Sequence, residues 1–320
     1  MRSGRRRLLR VLAVLAGLVF LFIASGALND WNARRVHRHH NHIAADGIAE
    51  RARTQELVRG SDTLVALVHG FGATPQVYED IAQAFVEETG ADLWIPLLAQ
   101  HGRSLDDFRA FDAAGIREDL LARLEARMAG YDRVVVIGHS FGGAMLVDLM
   151  ARGTLPEGVT PILFAPAVHI RGNDDINRLS LHAFGLWASF CDIAAFGCRS
   201  PDPASTGPTG VVQLYETNYF FYLVVAAILA IFDYSDGLAG VAAGIDTPVN
   251  IVMARDDARV DFSATEAMCA AMAACCMHVL PLGSHNPQFS TARATLSALL
   301  LRLAADPAAS CEGLDCTTSP

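Results

Sequence analysis

From Ser61 onward the chain alternates short apolar runs with segments in which apolar residues recur every three or four positions. The runs are TLVALVH (63–69), DLWIPL (92–97), RVVVIG (133–138), TPILFAP (160–166), PVNIVMA (248–254) and CMHVLPL (276–282). They are nearly continuous in apolar residues instead of alternating, the pattern of parallel strands covered on both faces. Between them, PQVYEDIAQAFVEETG, IREDLLARLEARMAG and GAMLVDLMARG carry helical spacing. Each ends in Gly, which readily takes the left-handed conformation that closes a helix. Such alternation predicts βαβ units and a mostly parallel sheet with flanking helices, an α/β fold.

The alternation breaks once. About 80 residues, 169–247, separate the fourth run from the fifth, too many for a loop, and they predict an inserted cap. Within it NYFFYLVVAAILAIF (218–232) is uniformly apolar but too short to cross a bilayer. A helix buried between cap and core is the expectation, and a lid presenting an apolar surface to lipid is the alternative. The chain then divides into an α/β core in two parts (61–168 and 248–305), the cap (169–247) and a Pro/Ser/Thr-rich tail (306–320).

Before Ser61 the pattern changes. RSGRRRLLR is a basic flank, and Val11 to Leu28 is an uncharged, mostly apolar run near the lower limit for a spanning helix, followed by Trp31 as an interfacial anchor. Residues 1–30 therefore read as an N-terminal membrane anchor, with a cleaved signal peptide as the rival because Ser25–Ala27 resembles a small-residue cleavage site. The RRRLL stretch is also weakly similar to a twin-arginine signal. The run exceeds an ordinary signal core, which favours the retained anchor. Positive-inside logic leaves the N-terminus in the cytoplasm, so either reading puts the body on the extracytoplasmic side, secreted if the segment is cleaved. Residues 31–60 form a polar, His/Arg-rich linker or a continuation of the anchor helix. There HRHHNH gathers His37, His39, His40 and His42, a weak metal signal without evident supporting structure; no metal or organic cofactor is expected.

Charge sharpens the division. With 52% hydrophobic residues the chain can bury a full core. Its mean hydropathy, +0.29, is high for a wholly soluble protein. All 25 basic residues are Arg, and 11 of them lie in residues 1–59 against 4 acids. The rest of the chain is strongly acidic, which argues against a nucleic-acid partner. Seven cysteines lie in the C-terminal half. Close spacing makes Cys191–Cys198 and Cys311–Cys316 plausible bridges, with one pairing among Cys269, Cys275 and Cys276, a usage suited to an oxidising compartment. Buried thiols are the alternative for Cys275 and Cys276.

The stretch DRVVVIGHSFGG carries the chemistry. A β-branched run ends at Gly138, a helical pattern begins after Gly142, and Ser140 stands at the sharp turn between them. A serine hydroxyl needs a base. His285, in the Gly/Pro-marked loop GSHNP after the last run, is the candidate. His139 is a poor base because a neighbouring side chain on the same turn points elsewhere, His278 falls on strand periodicity, and His101 has no assigned role. An acid must orient the imidazole, and Asp256, Asp257 and Asp261 in RDDARVD compete for that place. The oxyanion of an acyl-transfer intermediate needs preplaced donors, for which the backbone N–H groups of Phe71, in VHGFG, and Phe141 are candidates.

Taken in order, VHGFG, QHGRS, GHSFGG, DDARV and GSHNP resemble the α/β-hydrolase superfamily, and within it the serine esterases related to monoacylglycerol lipase and the S33 aminopeptidases, over about residues 61–305. The resemblance implies Ser140 as nucleophile and His285 as base. Its D-x-x-V pattern implies Asp257 as the acid, before Val260, with Asp256 as runner-up. It departs in QHG where the family has GHG, and in lacking clear counterparts of the first two strands, which implies a shortened sheet. The implied activity is hydrolysis of an acyl ester, with a monoacylglycerol-like lipid as one substrate class. Peptidase or acyltransferase chemistry, or a catalytically silent membrane-anchored binding module, are the alternatives.

Overall fold

Covered parallel strands need apolar side chains on both faces, and every expected run becomes such a strand. In the computed structural model, which describes residues 2–188, 225–238, 240–280, 283–286 and 292–306, they are β2 (Thr63–Val68), β3 (Asp92–Ile95), β4 (Arg133–His139), β5 (Val159–Phe164), β6 (Val249–Ala254) and β7 (Cys275–Leu280). In β6 all residues are buried, and in β2 and β4 all but the first. A short strand the pattern did not announce, β1 (Gln55–Leu57), pairs antiparallel with β3 at the edge. The sheet order is β1-β3-β2-β4-β5-β6-β7, parallel from β3 to β7. The shortened sheet therefore regains one edge strand. Its three residues pair Gln55 with Ile95 and Leu57 with Leu93.

Helices α2 (Glu79–Thr89), α3 (Leu105–Arg109), α4 (Ala113–Met128) and α5 (Phe141–Ala151) connect the first strands. Gly90 closes α2 with φ 67° and an N–H bond to the Val86 carbonyl. Between β5 and β6 the described residues include α6 (Asp175–Ala188) and α7 (Val225–Leu238); residues 189–224, including the start of the 218–232 run, lie outside them. The part of that run within α7 buries Ala227, Ile231 and Phe232, as expected for a helix against the core. Helices α8 (Phe262–Ala271) and α9 (Arg293–Ala305) complete the flanks.

One buried charge cluster ties α7 down. Asp148 on α5 receives Arg117 of α4 in an ion pair, Arg152 Nε at 2.6 Å and the Tyr234 hydroxyl of α7 at 2.8 Å. Burial opposes the charge on Asp148, but these three partners outweigh it and hold its carboxyl below the usual value. Tyr234 is raised by burial and by that carboxylate. On its outer side α7 binds Arg178 of α6 through Asp233 (2.5 Å) and Asp236 (2.7 Å).

Cys269 at the end of α8 is bonded to Cys275 at the start of β7, and Cys276 is buried. One of the expected pairings is thereby resolved; Cys191, Cys198, Cys311 and Cys316 lie outside the described residues. Helix α1 (Arg2–Asn41) runs unbroken through the apolar segment and the first part of the expected linker. Its Gly4–Ala24 section has mean hydropathy 2.3, is wholly unburied, and is long and apolar enough to cross a membrane. Beyond it Arg34 pairs with Asp106 of α3, so the helix meets the body.

Three histidines lie deep in the body. His69 Nδ1 faces the Gly70 carbonyl and its Nε2 accepts the Leu98 N–H at 3.1 Å; His101 Nδ1 faces the Ala99 carbonyl; His139 ends β4. Burial pushes His69 well below its ordinary value, helped by neighbouring His101, and pushes His101 to about 4 and His139 to about 3. In the unfolded chain each would take a proton near pH 6.5. The unfolded state therefore binds more protons as pH falls, and each histidine subtracts about 1.4 kcal/mol per pH unit below that point.

Two stability measurements follow from this packing. Asp148→Ala leaves Arg117 buried without its carboxylate and should lower the unfolding free energy in urea by about 3–5 kcal/mol. For the unsubstituted chain, the denaturation midpoint should fall steadily from pH 6.5 to pH 4; a midpoint flat or rising over that range would contradict neutral burial of the histidines.

Candidate active site

Strand β4 ends at His139 and α5 begins at Phe141, leaving Ser140 as the joint. Its backbone lies at φ 52° and ψ −113°, strained for a residue with a side chain. Two glycines make the turn possible. A Cβ on Gly138 would meet the Gly142 carbonyl oxygen at 2.6 Å, and one on Gly142 would meet that of Val68 at 2.6 Å. The Ser140 N–H donates to the Phe164 carbonyl, and the Ser140 carbonyl accepts from Ala144 and Ala167, all at 2.9 Å. The hydroxyl thus stands at a helix N-terminus, where uncommitted N–H groups create a positive potential.

Across the C-terminal ends of β6 and β7 the expected partners arrive. His285 Nε2 is 3.0 Å from Ser140 Oγ, and His285 Nδ1 is 2.8 Å from Asp257 Oδ2. Because a carboxylate only accepts, Nδ1 carries the proton and Nε2 is left to accept from the hydroxyl. The other oxygen of Asp257 takes the N–H groups of Arg259 (2.7 Å) and Val260 (2.8 Å). Burial works against the Asp257 charge, but His285 and those two N–H groups outweigh it and hold the carboxyl below its ordinary value.

The competing acids go elsewhere. Asp256 accepts the N–H of Ser284, whose φ is 59°, and so holds the loop one residue before His285. Asp261 caps α8 through the Ala264 N–H at 2.9 Å and pairs with Arg171. Of the other histidines, His139 turns its Nε2 toward the His285 main chain, not the hydroxyl, and His278 bonds Asn250 at 2.9 Å within the sheet. His101 lies in the loop between β3 and α3 and is fully buried there. Sequence periodicity gave no hint of that, because its neighbours Phe108 and Phe111 come from α3 and the turn after it.

Phe71 and Phe141 converge on one aromatic cluster. Phe111 packs against Phe71 at 5.0 Å and against Phe141 at 5.2 Å between ring centroids. Phe71 sits in the tight turn closed by Ala73 N–H to the Gly70 carbonyl, and Phe141 is the first residue of α5, whose N–H has no acceptor within the helix. Among the described residues no three metal-ligating side chains come together; the side chains of His37, His39 and His40 lie outside them.

Solved structures of other proteins share this architecture. LipS and LipT, two metagenome-derived lipolytic enzymes, are the subject of one match, with 20% identity, a TM-score of 0.60, and 80% of this chain against 98% of that one. A bromoperoxidase from Bacillus anthracis matches at 18% identity and TM-score 0.58 over 78% of this chain and 94% of its own. The monoacylglycerol lipase of Paleococcus ferrophilus matches at 11% identity and TM-score 0.55, over 79% of this chain and 97% of its own. No curated protein matches the sequence. At these identities the likenesses speak for the fold alone. The model of the Alpha/beta hydrolase family, however, matches residues 65–298, from the middle of β2 into α9 and through every residue of the Ser140 site. The chain belongs to the alpha/beta hydrolase family.

Proposed function

We propose that this chain is a serine hydrolase of carboxylic esters, held at a membrane by α1. The observation that carries the reading is the continuous line from Asp257 through His285 to Ser140, at 2.8 and 3.0 Å. Ser140 Oγ attacks the acyl carbon as His285 Nε2 takes its proton, and the resulting oxyanion is held by the N–H groups of Phe71 and Phe141. The intermediate collapses as His285 returns the proton to the departing alcohol, leaving an acyl group on Ser140. Water then attacks that ester, again giving its proton to His285; the acid leaves and the proton returns to Ser140 Oγ. Asp257 stays ionised throughout and fixes the imidazole tautomer.

An acyl ester with an apolar chain suits the phenylalanines behind the oxyanion position and the apolar α7 beside them. We take a monoacylglycerol-like lipid as the substrate class, a choice in keeping with the lipolytic enzymes and the monoacylglycerol lipase of similar fold. In this reading residues 169–247 form the cap over the site, and the basic N-terminus stays in the cytoplasm with the body outside. The Cys269–Cys275 bond is in keeping with an oxidising compartment.

A fluorophosphonate probe should label the chain, and Ser140→Ala should abolish labelling; an unlabelled parent chain would leave a binding module as the better description. On p-nitrophenyl esters, Asp257→Asn should lower kcat about 10⁴-fold. Asp256→Asn, which loosens only the loop, should lower it far less; equal losses would mean the acid is misassigned. The intact mass of the mature protein should include residues 1–30, whereas a chain beginning just after Ala27 would show that the segment is a cleaved signal.

A further inference from the structure

His139 lies beside the nucleophile, and the mechanism above does not use it. It is 3% exposed, stacked on Phe164 at 4.5 Å, and its ring centroid is 5.2 Å from that of His285. Its Nε2 is 3.1 Å from the main-chain carbonyl oxygen of His285. A carbonyl can only accept, so Nε2 holds the proton of this imidazole. Nδ1 then carries none, and among the described residues it meets no hydrogen-bonding partner. The backbone of Gly70 closes over it, so that a Cβ there would stand 3.4 Å from Nδ1 and 2.9 Å from the Ser140 Cβ. The ionisable groups around the ring are His69 at the end of β2, Asp257 after β6 and His285 after β7. A proton on Nδ1 would bury an N–H without an acceptor and set a second cation beside the imidazole that becomes positive during the reaction.

The geometry points to His139 as a positioning residue for the base: an uncharged imidazole whose Nε2–H holds the His285 main-chain carbonyl from the nucleophile's own strand. This assignment rests on the serine-hydrolase reading. Among the contacts described for residues 283–285, the His285 ring is also held by Asp257 and the Ser284 N–H by Asp256. Both of those holds come from the β6 side. His139 supplies a hold from β4, and so ties the position of His285 Nε2 to the strand end that positions Ser140 Oγ. A shift of under an ångström between those two atoms is enough to weaken proton transfer.

The test uses the full chain in detergent with a p-nitrophenyl ester and the variants His139→Phe and His139→Gln. Phe keeps the stack on Phe164 and lacks the donor; the Gln amide puts an N–H close to the position of Nε2. In the Phe variant kcat should fall about 10- to 100-fold with KM nearly unchanged, and Gln should recover most of the loss. The acid limb of kcat/KM against pH should keep its midpoint in both variants while the plateau drops. Equal kcat for Phe and Gln, or a Phe variant as fast as the parent, overturns the assignment. An acid limb that moves to higher pH in the Phe variant also overturns it, because removing a neutral neighbour cannot favour protonation of the base in that way. If thermal melting shows that His139→Phe does not fold, His139→Asn, whose amide is too short to reach the carbonyl, takes its place under the same criteria. A parent chain that takes no fluorophosphonate label overturns the hydrolase reading and this assignment together, whereas a labelled parent with unaffected variants overturns this assignment alone.

Discussion

Ser140 holds a backbone conformation that costs about 1–3 kcal/mol and persists only where its surroundings leave no alternative. Those surroundings are the centre of the sheet. Strand β4 is paired along its length with β2 on one side and β5 on the other, and Phe141 through Met150 of α5 are all buried. Gly142 lies so close to Val68 that α5 cannot back away from β2 to relax the turn without breaking that packing. The strain is thus borne by the apolar core, while the hydroxyl it raises needs nothing from the core except a fixed position.

Electrostatics divide along the same line. Two carboxylates that stay ionised in buried places, Asp148 and Asp257, each collect three donors, enough to offset the loss of water. The imidazoles of His69, His101 and His139 face backbone carbonyls or amides and pack against other rings, and burial keeps them neutral. A charged acid therefore stands behind His285 with uncharged rings around it.

Much of this was legible in the residues. The six apolar runs became strands within a residue or two at most ends, because a strand covered on both faces has to be apolar throughout. Ser140, His285 and Asp257 could be singled out because a strand end, a glycine-flanked turn and a D-x-x-V spacing are local signals. Strand β1 was not legible: Gln55, Glu56 and Leu57 are too few to show a period, and pairing with β3 makes them a strand. Only the resemblance's D-x-x-V pattern set Asp257 ahead of Asp256; the residues by themselves left both in competition. They are adjacent, and only the path of the loop decides that one meets the Ser284 N–H and the other the imidazole. His139 was set aside as a base, correctly so far as its direction goes, but its contact with a carbonyl 146 positions later leaves no trace in a linear pattern.

The strand order has a consequence for how the protein comes into being. Ser140 lies on the part of the chain made before the long excursion that leaves β5 and returns at β6, while Asp257 and His285 lie on the part made after it. Pairing of Ile162 with Asn250 joins the two halves across that excursion, at an entropic penalty that grows only slowly with loop length. A nascent chain therefore carries Ser140 apart from Asp257 and His285 until the last two strands have docked, so topology alone decides when the three side chains meet.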